Sequence, residues 1–436
     1  MTAPVTVADI RAWMNDTFVS KVEDQLNREI LAVELFKQHN TGFTDGQAIV
    51  PVNYARNTSA GYRGENQQIP DPQEIGRARM SVDAKYLYSR MELTGPAIES
   101  GRNNPNGLKA TLQEEIDGAL ESLSNRCNNY MFSGGGCIGF IMRKNLNLNA
   151  AADFFGNAEH LPAFGGAAIA CRLVRMDTYA LITAGATTIK LTAAASSATS
   201  SAEVILGAGN SNGIPNDVPI AVIIDQAASY ADVSAGGTET VAEQPSGILT
   251  NLCSEDQFGL DRTNPGGAVP DYSALRSNFH SGAVVAGLGV DFASSQLQTL
   301  LTKIQRQSDK RPDMFFVEHG FMDAYVETLT TVAASNFRIT SNQTGKGADA
   351  GFNTQQMSYG GIPFRASRNA PKGCVIALTP STWVQVTLKN PGMADLDGNV
   401  LSRKSNVDAY EAFARYYHNL VAKRPNANGV LVGIKN

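Results

Sequence analysis

Charge is scarce in this chain of 436 residues: 36 basic and 41 acidic side chains make up 18% of it, against about 25% in an average soluble domain. The shortage is not that of a disordered polymer, because 43% of the residues are apolar and can bury a core. It leaves much surface to be covered by something other than water. A basic excess is missing as well. The net charge of −5 and a pI near 5.7 argue against a basic protein that reads DNA sequence. Apolar runs never approach the roughly 18 residues of a membrane-spanning helix. The segment Met1 to Ile10 lacks the basic-then-apolar signature of a signal peptide, so none is expected. Cysteines are few and scattered: Cys127, Cys137, Cys171, Cys253 and Cys374 are odd in number and form no CxxC pair. That pattern fits a reduced compartment and buried small side chains, not a disulfide framework. His39, His160, His280, His319 and His418 never fall at metal-ligand spacing, so neither a metal nor another cofactor is expected.

What is present is organised in long pieces. Val7, Ile10, Met14, Phe18, Val22, Leu26, Ile30 and Val33 recur at intervals of three or four, which predicts an N-terminal helix with one apolar stripe. Residues 53–92 then read as an extended hairpin with a polar tip interrupted by Pro70 and Pro72. Met80, Val82, Ala84, Tyr86 and Tyr88 are assigned to one side of its pleat, and no core of its own is expected. A lone ribbon is marginal in water, so the hairpin is read as an arm laid over a neighbouring subunit. Its charged residues Arg56, Arg63, Glu65, Asp71, Glu74, Arg77, Arg79 and Lys85 are the candidate contacts. Leu108, Leu112, Ile116, Leu120, Leu123, Cys127 and Met131 mark a long helix that Gly134-Gly135-Gly136 stops, glycine tolerating the left-handed exit best.

Residues 140–255 read as a β-rich insertion. Its apolar pieces are short, Thr188–Leu191, Val204–Leu206 and Ile220–Ile224, and turn residues separate them. Between 179 and 250 the only base, Lys190, faces six acids. From about 290 the pattern turns α/β: a helix from Ala293 to Ile304, a buried strand Met314–Val317, and a helix at Phe321–Leu329. Strands follow at Cys374–Leu378, at Tyr410 to Val421 and at Gly429–Ile434. His319 is expected to open a helix and His418 to lie in a strand, in packing or surface roles.

Two catalytic motifs match on paper. Gly134 to Gly139 satisfies GxGxxG, but it follows a helix where a dinucleotide fingerprint must follow a strand. Gly209-Asn210-Ser211-Asn212-Gly213 satisfies GxSxG, but Ile214-Pro215-Asn216-Asp217 follows where a nucleophile elbow needs a helix. Asp395-Leu396-Asp397-Gly398-Asn399 lacks the distal Glu of a calcium loop and reads as a hairpin turn. No constellation supports catalysis.

The order of these pieces, and local residues within them, resemble the major capsid proteins of tailed bacteriophages, the Hong Kong ninety-seven-like fold. Arg79-Met80 through Met91-Glu92-Leu93-Thr94-Gly95-Pro96-Ala97-Ile98 is similar to the family's strand into the spine, and Leu108 to Met131 to its spine helix. Phe258-Gly259-Leu260-Asp261-Arg262-Thr263-Asn264-Pro265 resembles the segment that closes an insertion in one branch. Lys310-Arg311-Pro312-Asp313 resembles the start of the axial-domain strand and helix, and Gly361-Ile362-Pro363-Phe364 with Asn369 to Gly373 the return to the peripheral sheet. The resemblance implies an α+β fold in six parts: an N-terminal arm (1–52), an extended hairpin (53–92), a peripheral domain with the spine helix (93–139), the insertion (140–255), an axial domain (256–365), and a return with C-terminal strands (366–436).

It also implies a structural protein without enzymatic activity. Such a protein assembles with itself as pentamers and hexamers into an icosahedral shell around double-stranded DNA, held without sequence preference. Its implied partners are a portal and a separate scaffolding protein, with a decoration protein as a further candidate and no membrane; its place is the virion, after synthesis in the host cytoplasm. A protein compartment of the encapsulin kind is the alternative within the fold. A serine hydrolase using Ser211, or a β-rich tail component, is the alternative outside it.

Overall fold

The computed structural model describes residues 35–36, 38–39, 46–101, 105–142, 152–156, 168–182, 188–192, 203–206, 218–225, 229–232, 237–263, 271–281, 291–332, 357–393 and 402–434. The N-terminal helix expected at Val7–Val33, the Ser211 motif and the Asp395–Asn399 turn lie outside them.

The described chain opens at Leu35 and Phe36, the Phe36 ring packing 5.5 Å from that of Trp383, and continues at the short strand β1 (Gln38–His39). β2 (Gln47–Ala55) and β3 (Gly76–Asp83) form a two-stranded antiparallel ribbon. β4 (Lys85–Thr94) follows, then a short helix α1 (Gly95–Gly101) and the long helix α2 (Pro105–Ser133), the expected spine. The spine starts at a proline, whose missing N–H costs nothing in a first turn. Its 29 residues span about 43 Å at 1.5 Å per residue. Leu123, Cys127 and Met131, one helical turn apart, are buried. At the triplet Gly134–Gly136, Gly135 and Gly136 adopt positive φ, and the chain then enters β5. The GxGxxG match therefore follows a helix, as expected.

β5 (Cys137–Met142), β6 (Ala152–Gly156), β7 (Ala168–Arg175), β8 (Thr188–Thr192), β9 (Glu203–Leu206) and β10 (Ile220–Ile224) close into a barrel in the order β10-β5-β6-β9-β8-β7. Every residue of β5 and of β10 is buried, so both read in sequence as unbroken apolar runs. A hairpin of β11 (Ser229–Asp232) and β12 (Gly237–Thr240) leads to a short helix α3 (Ile248–Cys253), which returns the chain to the spine.

β13 (Asp256–Gln257) and β14 (Leu260–Asp261) make a tight hairpin. The α/β part comprises β15 (Asn278–Ser281), α4 (Ser294–Ser308), β16 (Met314–Val317), α5 (His319–Val332), β17 (Ser358–Tyr359), β18 (Ile362–Ala366) and β19 (Cys374–Leu378). Together with β23 (Gly429–Val432) these strands form a six-stranded sheet, β15-β23-β19-β16-β18-β17. Leu297, Leu300, Leu301 and Ile304 of α4, and Phe321 and Tyr325 of α5, pack in one apolar cluster with Phe315, Phe364 and Leu431 of that sheet.

The remaining sheet lies across the spine. β20 (Trp383–Met393), β21 (Ser402–Arg403) and the fourteen-residue β22 (Ala409–Ala422) join β1 and β4 in the order β1-β20-β22-β21, with β4 on the other side of β22. Tyr416, Ala414 and Leu420 of β22 face the same core as Leu123, Cys127 and Met131 of the spine. Segments far apart in sequence thus share one core.

Two expectations about the hairpin need correction. The ribbon has a core at its base: Ala48, Val50, Val52, Met80 and Val82 pack with Leu260, Leu275, Val384, Val386 and Val421. Tyr54 meets Tyr272 edge-on at 4.9 Å. The apolar partners come from distant segments, so the local sequence does not announce them. Tyr86 and Tyr88 do not share the buried side of Met80, Val82 and Ala84; they are exposed. At Ala84 the chain leaves one sheet for another, so the same parity that points inward in β3 points outward in β4.

Candidate assembly surfaces

The ribbon leaves the body at a tied hinge. The Asn419 side-chain amide donates to the Asp83 carbonyl at 2.8 Å, and the Asn419 Oδ1 accepts the Ser246 and Leu420 N–H groups at 2.9 Å each. On the other side of Ala84, the Lys85 ammonium donates to the Ala242 carbonyl at 2.7 Å. Glu243 accepts the Thr240 N–H at 2.9 Å, and these Thr240 hydrogen bonds hold its carboxyl below the usual range. A polar cavity of about 540 Å³ lies beside this hinge, lined by Asp83, Lys85, Arg172, Asp225, Gln244 and Asn419 among others. The exit of the insertion is thus fastened to the root of the hairpin.

Beyond Ala55 and before Gly76 the tip has no strand partner among the described residues. Arg56, Arg63, Glu65, Asp71 and Glu74 are all exposed there. Tyr62 is wholly exposed and Ile69 81% exposed, so the tip presents apolar groups as well as charge. It is shaped by local bonds: the Gln67 N–H donates to the Gly64 carbonyl at 3.2 Å, and the Arg63 Nε–H to the Gln68 carbonyl at 3.0 Å. Arg77 and Arg79 lie on the exposed side of β3, opposite its buried Met80 and Val82. The structure therefore brings five of the eight candidates into the tip and two onto the ribbon, and assigns Lys85 to the hinge.

The outward face of β4 and β22 was not anticipated from sequence. Tyr86 faces Tyr417, Tyr88 faces Arg415, and Arg90 faces Phe413 in the antiparallel register. The Tyr86 and Tyr417 rings meet edge-on at 4.9 Å, and the Tyr88 and Tyr417 hydroxyls hydrogen-bond at 3.1 Å. That bond, with burial, pushes the Tyr88 phenol up to about 12. The signal was the alternation at Tyr86, Tyr88, Phe413 and Tyr417, legible once the two runs are set side by side.

Two buried groups carry chemistry-bearing side chains without activating them. Cys127 Sγ lies 3.4 Å from His418 Nε2. Burial pushes the thiol up to about 12 and the imidazole down to about 3, so both are neutral near pH 7 and no thiolate forms. Arg262 is buried and donates to the carbonyls of Asn251 at 3.0 Å and of Ser254. Its guanidinium lies 4.9 Å from the Tyr179 ring centroid. It closes the C-terminus of α3, where a cation is favoured.

The capsid asymmetric unit of cyanophage A-1(L) is similar over 97% of this chain and 97% of its own, with a TM-score of 0.54 at 10% identity. The fold is that of a tailed-phage capsid protein. An encapsulin from Synechococcus elongatus is matched over 98% of this chain and 95% of its own, at 10% identity and a TM-score of 0.45. Mycobacterium phage Bobi is matched over 99% of each chain, at 8% identity and 0.46. No protein-family model and no curated sequence matches.

Proposed function

We propose that this chain is the major capsid protein of a tailed phage, assembling with itself into a closed shell. The observation that carries the reading is an end-to-end match to a capsid subunit in a chain whose hairpin tip exposes Tyr62 and Ile69 to solvent. An arm of that kind is stabilised by a neighbour, and closed symmetry repeats one such contact throughout a shell. The hairpin charges Arg56, Arg63, Glu65, Asp71, Glu74, Arg77 and Arg79 set register between subunits more than they add affinity.

The full reading is of pentamers and hexamers in an icosahedral shell that encloses double-stranded DNA. A portal and a separate scaffolding protein complete the assembly, and a decoration protein is a further candidate partner. Synthesis is in the host cytoplasm, and the role is structural.

Electron microscopy of the purified full-length protein, with light scattering on the same sample, tests this. Closed shells or free pentamers and hexamers are the expected result, and nucleic-acid absorbance in filled shells separates a virion shell from a protein-storing compartment. A uniform monomer that stays unassembled as salt and scaffold are varied overturns the reading.

A further inference from the structure

We infer that the outer edge of β4 pairs with β4 of a second copy, antiparallel across a two-fold axis, so that the spine sheet runs from one subunit into the next. This rests on the shell reading, which supplies the second copy, and it names one contact that reading leaves open.

β4 is ten residues long and pairs with β22 without a break in register. Among the described residues β22 is its sole strand partner. Strand edges are ordinarily blunted by proline, a bulge or free charge. β4 contains no proline, its ladder shows no bulge, and its charges are engaged: Arg90 with Glu411 at 2.6 Å, Glu92 with Lys404 at 2.9 Å, and Lys85 with the Ala242 carbonyl. What the edge offers instead is Tyr86, 59% exposed, and Tyr88, 55% exposed.

The strand is complementary to itself. A two-fold axis through an antiparallel pair requires facing residues to share a face, so the axis falls on Tyr88 or on Ser89. Centred on Ser89, Tyr88 faces the partner's Arg90 and Tyr86 faces the partner's Glu92, each pair occurring twice. Centred on Tyr88, Tyr86 faces the partner's Arg90. Either arrangement sets a guanidinium against a tyrosine ring, and in neither do like charges meet. The chain's own hairpin tip is a poor occupant, because β3 holds it about 26 Å from the hinge at 3.3 Å per residue.

The test uses full-length Tyr86→Cys, Tyr88→Cys and Arg90→Cys proteins, with Tyr62→Cys in the tip as control. All five native cysteines are buried, and the substituted positions are exposed, so folding is checked simply by circular dichroism and thermal melts. Under oxidised glutathione, at least one of the three β4 variants should give a covalent dimer about fivefold above the control, reversed by reductant, because pairing raises the local thiol concentration. Closed shells with no dimer from any of the three overturn the proposal while leaving the shell reading intact. A dimer from Tyr62→Cys alone also overturns it, by assigning the contact to the hairpin tip. Failure of the shell reading shows separately, as a wild-type protein that never assembles.

Discussion

His418 lies in β22 beneath the spine, its ring stacked 4.2 Å from that of Tyr416. Nε2 is near the Cys127 sulfur, and Nδ1 is without a partner. Burial depresses its pKa from 6.5 to about 3, and the neighbouring thiol and phenol, both pushed up chiefly by burial, stay neutral. The unfolded chain therefore binds a proton between pH 6.5 and about 3 that the folded chain refuses. The stability that neutral His418 contributes is complete above pH 6.5. It falls by about 1.4 kcal/mol for each pH unit below that, until the folded pKa is reached. Urea denaturation from pH 7 to pH 4 should show this slope in the wild type and a slope one proton smaller in His418→Gln. Identical slopes would mean that the ring is solvated in solution.

Glycine positions separate the middle of the spine element from its C-terminal end. A Cβ on Gly247 would sit 2.7 Å from the Gly134 nitrogen and the Tyr130 carbonyl oxygen, in the seam where the Gly247 N–H donates to the Gly134 carbonyl at 2.9 Å. Backbone cannot give way as a flexible side chain does. Gly247→Ala should cost about 2 kcal/mol by forcing α3 off the end of α2. Gly118, mid-helix and exposed, has open space around its Cβ, so Gly118→Ala should stabilise by about 1 kcal/mol. Opposite signs in one denaturation series would confirm that the spine is clamped at its C-terminal end.

The same elements show what was legible in the sequence. Met314–Val317, Cys374–Leu378 and Ile220–Ile224 were readable because strands buried on both faces leave unbroken apolar runs. The spine was readable because it combines a helical stripe with a glycine stop. The switch of faces at Ala84 was not, since apolar residues keep the same parity on both sides of it while the chain changes sheet. Nor was the core under the ribbon, since Leu260, Leu275 and Val384 reach Val50 and Met80 only through the tertiary fold. Among the candidate contact residues, the exposure of the tip charges was legible in the composition of that segment. Asn419 and Lys85 as hinge ties depend on contacts that no local pattern encodes.

Across the molecule, the apolar clusters formed by the described residues contain none from 56–75. Among the described residues, the tip's hydrogen bonds stay within the tip. If the tip is the proposed contact between subunits, stability and assembly rest on different parts of the chain, and they should separate experimentally. Ala55 already faces Gly76 across the ribbon, so residues 57–74 can be replaced by an Asn-Gly turn that matches the ribbon's twist. The shortened protein should unfold within about 0.5 kcal/mol of the wild type, the usual range for surface changes away from the core. It should also remain a monomer, or stop at small oligomers, under conditions where the wild type closes shells. Light scattering and electron microscopy read the second property, and urea denaturation the first. Shells of normal size from the shortened chain would show that the arm does not hold neighbouring subunits together. A large loss of stability would instead place the tip within the fold's own core.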